Sequence, residues 1–239
     1  MDVQQSENSY VPFFQQLSKE NRDILLTHGF KHHVRAGSTL FYEGETAKYI
    51  YLVKSGEIRL SKMTIDQKKF FLHLKKKDDI VGEFSLFNDM SSSMTAEAVE
   101  DCELIRFDQK TLEALFTQNG EIATAFIKLF ARNTQSTQAK FSDLLLYGKT
   151  GALYSILIRF SNSYGKKKDN GILITKKLTN QEIAHFIGTS RETVNRMLND
   201  LKRDHILSVN DGYITVHDVG FLKRHLQCGK CPVEICTLS

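Results

Sequence analysis

Between residues 30 and 107, apolar and polar residues alternate over short runs such as STLFYEGE, KYIYLVKSGEIRLSK and KKFFLHLKKKDDIVGE. Successive side chains of a β-strand point to opposite faces, so this alternation is typical of strands with one buried face. Glycines stand at the breaks between the runs, where turns are required: Gly37, Gly44, Gly56 and Gly82. The pattern predicts an all-β unit of the jelly-roll type.

From residue 109 onwards the apolar spacing becomes helical. A short segment from Gln109 to Phe116 precedes a long one from about Glu121 to Tyr147, which has apolar residues near both ends and a polar middle. A long helix of this kind fits the seam of a homodimer. The alternative is a helix that lies on the β unit of its own chain.

The remaining pattern predicts a second unit after the Gly148 to Gly151 break. The stretch GALYSILIRFSNSYG is typical of an apolar-faced helix, Lys166 to Asn170 is interpreted as a polar loop, and GILITKKL as a strand. Two further helices are followed by HILSVNDGYITVHD, in which Asn210-Asp211-Gly212 is a strong hairpin signal.

The predicted class is therefore α+β, with an N-terminal β-roll, a long dimerisation helix and a C-terminal winged helix-turn-helix. We expect a sensor-like β-roll over residues 1–120 and a dimerisation helix over 121–149. A DNA-binding domain is expected over 150–226 and a cysteine-rich segment over 227–239.

The stretch LTNQEIAHFIGTSRETVNRMLNDLKR predicts two short helices joined by a tight turn. Thr179 and Glu182 have the spacing of a capping box at the start of the first helix. Gly188 is placed to make the turn, and Ser190 is a good N-cap for the second helix.

The second helix carries an apolar stripe, which leaves polar side chains exposed on its first turns. A recognition helix presents its N-terminal residues to base edges in the major groove. Arg can bond guanine bidentately, and Glu can accept a hydrogen bond from cytosine. The alternative is a solvated helix face with a Glu192–Arg196 pair. The caps, the turn and the hairpin favour binding of double-stranded DNA through Ser190, Arg191, Glu192, Asn195 and Arg196.

Charge supports this placement of the DNA-binding function. The chain has 32 Lys and Arg and 28 Asp and Glu residues. Residues 1–149 contain 19 basic and 20 acidic residues, whereas residues 150–239 contain 13 basic and 8 acidic residues. The basic excess therefore belongs to the C-terminal part.

The chain is 41% hydrophobic, with no apolar run that would suit a bilayer and no signal-like pattern in MDVQQSENSY, so we expect a cytoplasmic protein without a membrane partner. No nucleophile–base set or glycine-rich phosphate loop is evident, which argues against an enzyme.

Three of the four cysteines, Cys228, Cys231 and Cys236, lie within nine residues. Thiolates suit zinc or an iron-sulfur cluster better than magnesium or calcium, and either group needs a fourth ligand. His225, Cys102 and an oxygen ligand from elsewhere are all candidates, and spacing does not choose among them. The alternation in DCELIRFD favours Cys102 as a packing residue of the β-roll.

With these elements in this order, the chain resembles the Crp/Fnr family of bacterial transcription regulators. SRETVNR at 190–196 is close to a recognition helix of that family, and VGEFSLF at 81–87 resembles its β-roll signature. The resemblance implies a homodimer that contacts RNA polymerase. It also implies palindromic DNA sites with TGTGA and TCACA half-sites separated by six base pairs.

Members of this family that bind cyclic nucleotides have a Gly-Glu pair followed by an Arg-Ser pair that neutralises the phosphate. Gly82 and Glu83 are present here, but no basic residue occurs between Phe84 and Ile105. A buried phosphate without a compensating cation is unfavourable. We therefore expect no cyclic nucleotide and a structural role for Glu83.

FSDLLLYGKTGALYSILIRFSNSYG and CGKCPVEIC also resemble the Fnr branch of Gram-positive bacilli. That resemblance implies an oxygen-responsive regulator of anaerobic genes with a 4Fe-4S cluster on Cys228, Cys231 and Cys236. It implies that Asp143 is the fourth ligand. The sequence alone, without the resemblance, favours interpreting Asp143 as a surface carboxylate of the helix. The alternatives are a Crp-like regulator with a structural zinc and another effector, and an iron-sulfur electron-transfer protein.

Overall fold

The structure is a computed structural model that describes residues 11–46, 48–83, 86, 91–228 and 231–239. These residues divide into two compact units. The first comprises 11–133 together with Ser239, and the second comprises 134–238. Phe84, which begins the stretch without a basic residue, lies outside the described residues, as do Ser85 and residues 87–90.

The first unit is built on two four-stranded antiparallel sheets, which confirms the predicted β-roll. The strands are β1 (Phe30–Val34), β2 (Thr39–Phe41), β3 (Tyr49–Ser55), β4 (Ile58–Met63), β5 (Lys69–Lys75), β6 (Ile80–Val81), β7 (Thr95–Ala98) and β8 (Cys102–Asp108). Their order is β1-β8-β3-β6 in one sheet and β2-β7-β4-β5 in the other. Inward-facing residues of both sheets form one core cluster that includes Val53, Ile58, Ala96 and Leu104.

Four helical segments cover a second core cluster of this unit. They are α1 (Phe13–Gln16), α2 (Lys19–Thr27), α3 (Gln109–Gln118) and the start of α4 (Gly120–Tyr164). Ile122, Phe126 and Leu129 of α4 are buried in this cluster. The first apolar end of the long helix therefore lies on the β unit of its own chain, because burial there removes three large side chains from water.

The later apolar residues of α4 are exposed in the protomer. Phe141 is 61% exposed, Leu145 65% and Leu146 73%. A row of exposed apolar side chains is unusual on a monomer surface, and these residues are the part of the helix that suits a seam with a second copy. Among the described residues, no helix has both the length and the apolar character that crossing a membrane requires.

Gly148 interrupts α4 with φ 60° and ψ −155°. The predicted break at this position is confirmed, although helix resumes directly after it. Ser136, far before the break, bonds to Arg159, far after it, while Asp143 and Ser155, both nearer the break, bond to each other. The two arms of α4 beyond residue 134 therefore form an antiparallel helical hairpin.

The rest of the second unit is a winged helix-turn-helix. It contains β9 (Gly165–Lys168), β10 (Gly171–Ile174), α5 (Asn180–Ile187), α6 (Arg191–Arg203), β11 (Leu207–Asn210), β12 (Tyr213–Val216), α7 (Val219–His225) and a 3-10 turn at Val233–Ile235. The sheet has the order β11-β12-β10-β9. The interpretation of Lys166 to Asn170 as a loop is wrong for its first part, because β9 pairs with β10. An exposed edge strand can be polar on both faces, so alternation gives no signal there.

Candidate DNA-binding surface and cysteine site

Local hydrogen bonds fix the start of both helices of the helix-turn-helix. Thr179 and Glu182 form the predicted capping box at α5. Gly188 takes the left-handed conformation at φ 65°, which ends α5, and the Ser190 side chain accepts a hydrogen bond from the Thr193 amide at 3.2 Å. These contacts set where α6 begins, and hence which of its side chains face outwards.

The polar face of α6 is exposed as predicted. Val194, Leu198 and Leu201 are buried against the rest of the unit. On the opposite face the exposed side chains are Arg191, Glu192, Asn195 and Arg196. Because they occupy the first two turns of α6, they form a contiguous polar surface with both donors and acceptors.

Two of these side chains are also held locally. Hydrogen bonds from its own backbone amide and from Ser190 lower the pKa of Glu192, which favours the carboxylate form, a hydrogen-bond acceptor. Asn195 Oδ1 accepts a hydrogen bond from Asn180 Nδ2 at 3.1 Å. Asn180, at the start of α5, is a neighbour of this surface that sequence reasoning missed.

The hairpin of β11 and β12 forms the predicted wing. Asp211 and Gly212 make its two-residue turn with φ values of 50° and 82°. Positive φ at both positions is the requirement of a type I′ turn. The Asn210-Asp211-Gly212 signal in the sequence is thereby confirmed.

The cysteine segment is anchored to the second arm of α4. Asn162 Nδ2 donates to the Cys236 carbonyl at 2.7 Å, and the Leu238 amide donates to Ser163 Oγ at 3.1 Å. Thr237 and Leu238 are buried. The segment therefore has a defined path, in which Cys236 lies beside α4.

Asp143 lies on the first arm of the α4 hairpin and is partly buried. Ser155 Oγ donates a hydrogen bond to its Oδ2 atom at 2.6 Å. Burial raises the pKa of Asp143, while the Ser155 hydrogen bond and the charge of Arg159 lower it. The interpretation as a plain surface carboxylate is thus wrong, because the hairpin folds the second arm of α4 over this side chain.

The proposed ligands are electrostatic neighbours. Burial, together with the charges of Asp143, Cys236 and Cys231, raises the pKa of Cys228 to about 11. Burial likewise raises the pKa of Cys236, which Arg159 lowers and Asp143 and Cys231 raise. Within the described part of the chain, however, no three His, Cys, Asp or Glu side chains are arranged to hold a metal ion.

A buried arginine stands among these groups. Arg159 is 1% exposed, and its Nη1 atom donates to the carbonyls of Ile235 at 2.7 Å and Thr237 at 3.2 Å. Burial lowers the pKa of Arg159, whereas Cys236, Asp143, Cys231 and Cys228 raise it. Sequence reasoning missed this residue, although a single cation inside the apolar run YSILIRF was an available signal.

The other two candidate ligands have different surroundings. Cys102 lies on β8, 1% exposed, in the core of the β-roll, and its thiol lies 3.1 Å from the Glu100 carbonyl. Its assignment as a packing residue is confirmed. His225 is exposed on α7, with its ring edge-on to that of Tyr154 at 4.9 Å.

Glu83 is completely buried inside the β-roll. Its Oε1 atom accepts a hydrogen bond from Asn133 Nδ2 at 2.6 Å and lies 3.5 Å from Lys75 Nζ. Lys75 is itself buried, so the β-roll does contain an interior cation, which lies on β5 rather than between Phe84 and Ile105. Glu83 already neutralises that cation.

Two family models match the chain. The cyclic nucleotide-binding domain matches residues 31–119, and the Crp-like helix-turn-helix domain matches residues 152–225. These ranges coincide with the β-roll and with the winged helix-turn-helix.

Curated relatives match over most of their length. The chain is 40% identical over 225 residues to the anaerobic regulatory protein of Bacillus subtilis, covering 93% of this chain and 94% of the relative. It is 28% identical over 215 residues to the cyclic AMP receptor protein of Thermus thermophilus, covering 89% and 95%. Among solved structures, a CooA variant from Carboxydothermus hydrogenoformans matches with a TM-score of 0.77 at 22% identity, covering 90% of this chain and 96% of that one.

Proposed function

Since the chain belongs to the Crp/Fnr family of transcription regulators, we propose that it is an oxygen-responsive regulator of anaerobic genes that depends on a 4Fe-4S cluster. The observation that carries the proposal is that Cys228, Cys231, Cys236 and Asp143 lie in one compact unit, where Asp143 and Cys231 raise the pKa of both Cys228 and Cys236. The identity to the anaerobic regulatory protein of Bacillus subtilis supports the same assignment.

The donor set suits such a cluster. Three thiolates are the ligands that iron-sulfur clusters prefer, and a carboxylate can supply the fourth. The Ser155 hydrogen bond uses Oδ2 of Asp143, and a single-oxygen ligand needs only one of the two carboxylate oxygens. When bound, the cluster supplies sensitivity to oxygen. A carboxylate is a harder ligand than a thiolate, so the iron bound by Asp143 would be held less tightly than the irons bound by cysteines.

The ligand positions couple the site to the DNA-binding unit. Cys228 follows α7, while Asp143 lies on the first arm of α4. Ligation by both would fix the segment after α7 to that arm. Without ligation, the segment is still held by hydrogen bonds to Arg159, Asn162 and Ser163. Oxygen would thereby change how firmly the recognition helix is positioned.

DNA recognition is assigned to the exposed face of α6. Arg191 and Arg196 offer donors to guanine and to phosphates, and the ionised Glu192 offers an acceptor to cytosine. We propose a cytoplasmic homodimer in which Phe141, Leu145 and Leu146 form the seam. Two copies of α6 would then read TGTGA and TCACA half-sites about 34 Å apart. In this function the protein is not an enzyme, and its protein partner is RNA polymerase.

Cyclic AMP is not the proposed effector, although the β-roll matches the cyclic nucleotide-binding family. The interior cation Lys75 already has a carboxylate partner in Glu83. An entering phosphate would have to displace that carboxylate or lie beside it, and both cost free energy in a buried site.

Purification without oxygen tests the proposal. We expect a brown protein with broad visible absorption, about four irons and four sulfides per chain if one cluster is bound, and tight binding to a TGTGA–TCACA palindrome. Brief exposure to air should bleach the protein and weaken that binding. A colourless protein that contains zinc and binds DNA equally well in air would contradict the proposal and support the structural zinc alternative.

A further inference from the structure

Arg159 has an environment that a structural arginine rarely has. Its side chain is 1% exposed. Among the described residues, no carboxylate forms an ion pair with its guanidinium. A buried cation without a counter-ion is strongly disfavoured. Its direct hydrogen-bond partners are neutral carbonyl and hydroxyl groups, so the nearest anionic groups, Asp143 and the thiols, act on it without a direct ion pair.

The hydrogen bonds of Arg159 converge on Cys236. Its Nη1 atom donates to the carbonyls of Ile235 at 2.7 Å and Thr237 at 3.2 Å, which are the residues on either side of Cys236. Asn162 binds the carbonyl of Cys236 itself at 2.7 Å. Three consecutive carbonyls of the cysteine segment are thus held by the second arm of α4.

The same guanidinium also reaches the first arm. Nη1 donates to Ser136 Oγ on the first arm at 3.2 Å, while Nε donates to Ser155 Oγ on the second arm at 3.3 Å. Ser155 in turn donates to Asp143 at 2.6 Å. One side chain is thereby linked to two proposed ligands, Cys236 through its flanking carbonyls and Asp143 through Ser155.

We propose that Arg159 is the positioning residue of the cysteine site, which both clamps Cys236 and supplies the positive charge that the anionic donor set requires. The clamp is independent of what the thiols bind, while the charge role rests on the proposed function. Three thiolates and a carboxylate carry more negative charge than the core of an oxidised 4Fe-4S cluster carries positive. A buried cation beside them offsets the remaining negative charge. It also favours the reduced cluster, which is more negative than the oxidised one.

Two substitutions separate the clamp from the charge. Arg159→Gln removes both the clamp and the charge, because glutamine is uncharged and its side chain is too short to reach the carbonyls that Arg159 binds. Arg159→Lys keeps the charge, but its ammonium ends one atom short of the Nη1 position that binds the carbonyls of Ile235 and Thr237, and it lacks the Nε donor to Ser155. Arg203→Gln is the matched control, since Arg203 is an exposed arginine of the same unit that pairs with Asp200.

The clamp is tested on full-length protein after the metal is removed in air with EDTA and the thiols are reduced again. Hydrogen–deuterium exchange of the peptide covering 231–239 should be on the order of tenfold faster in Arg159→Gln and in Arg159→Lys, because hydrogen bonds from a charged donor are lost. The peptide covering 207–216 should not change, and neither peptide should change in Arg203→Gln. Wild-type exchange of 231–239 in both Arg159 variants would overturn the clamp, whatever metal the protein binds.

The charge is tested on protein that is reconstituted with iron and sulfide without oxygen. Arg159→Gln should have a lower cluster reduction potential than wild type or should fail to assemble the cluster, while Arg159→Lys should assemble it with a potential near that of wild type. Equal potentials in Arg159→Gln, Arg159→Lys and wild type would overturn the charge role. If the wild type assembles no cluster, the proposed function fails, and the exchange measurement still decides the clamp.

Discussion

Ser155 Oγ donates a 2.6 Å hydrogen bond to Asp143 Oδ2, which joins two residues on opposite arms of the helical hairpin around Gly148. This bond orients the carboxylate and leaves its second oxygen for another partner. A helix without the Gly148 break would place the two residues about 18 Å apart along its axis, at a rise of about 1.5 Å per residue. The candidate site therefore depends on that break.

Replacing Asp143 by Ala should weaken the dependence of operator binding on the cluster. A cluster with three thiolate ligands can still assemble, but the cysteine segment would no longer be tied to the first arm of α4. Binding to a TGTGA–TCACA palindrome should then differ little between anaerobic and air-exposed protein, as measured by fluorescence anisotropy.

Three variants serve as references for Asp143→Ala. Cys228→Ser should abolish both the visible spectrum and cluster-dependent binding, whereas Cys102→Ala, in the β-roll core, should keep both. His225→Ala should also keep both, and its loss of colour would point to a local ligand set in the cysteine segment. Asp143→Ala with the spectrum and the oxygen response of wild type would rule out Asp143 as the fourth ligand.

Glu192→Ala should weaken binding to the palindrome by about 1–3 kcal/mol and relax the preference at one base position, because the acceptor for a cytosine amino group is lost. Titration of labelled duplexes that differ at single positions measures both effects. Asp200→Ala is the matched control, since it removes an exposed carboxylate near the other end of α6. Equal affinities of the Glu192 variant and wild type for every duplex would refute the assignment.

Gly151→Ala should destabilise the protein by about 1–3 kcal/mol, the usual cost of overpacking. A Cβ atom at this position would lie 2.8 Å from the Asp143 carbonyl oxygen and would overlap Tyr147. Gly120→Ala is the matched control in the same helix, because a Cβ atom there meets nothing within 4 Å. Chemical denaturation of both variants, followed by circular dichroism, measures the difference, and equal midpoints would contradict the close approach.

Lys75→Met should be destabilising by about 3–5 kcal/mol, since it leaves the Glu83 carboxylate buried without its cation. The double variant Lys75→Met with Glu83→Gln should recover much of that loss, because no unpaired charge remains and Asn133 can still bond to position 83. Denaturation of the two single variants, the double variant and wild type forms a complete cycle. Additive effects within about 0.5 kcal/mol would show that Lys75 and Glu83 do not interact.

Cyclic AMP should not bind at micromolar concentrations. The expectation follows from the Glu83 carboxylate beside the interior cation Lys75, which makes the site unfavourable for a phosphate. Isothermal titration calorimetry measures binding directly, and operator titrations with and without the nucleotide measure its effect. Micromolar binding that also raises operator affinity would overturn this account.

The local elements followed from short-range rules that the sequence expresses fully. The cap at Ser190, the left-handed Gly188 and the Asp211-Gly212 turn each depend on neighbours within a few residues. The exposed face of α6 followed from helical spacing of Val194, Leu198 and Leu201. For the same reason, period-two alternation was sufficient to predict the strands of the β-roll, whereas it did not predict β9, the exposed edge strand of the second unit.

The environments of single side chains were decided by tertiary structure, because they depend on residues far apart along the chain. Spacing could not show that Asp143 is covered by Ser155 or that Arg159 binds carbonyls 76 and 78 residues away. It also could not divide α4 into an end that packs on the β-roll and an end that stays exposed, since both ends have the same apolar periodicity. Periodicity indicates which face of a helix or strand is apolar. Which other element covers that face depends on how the whole unit packs.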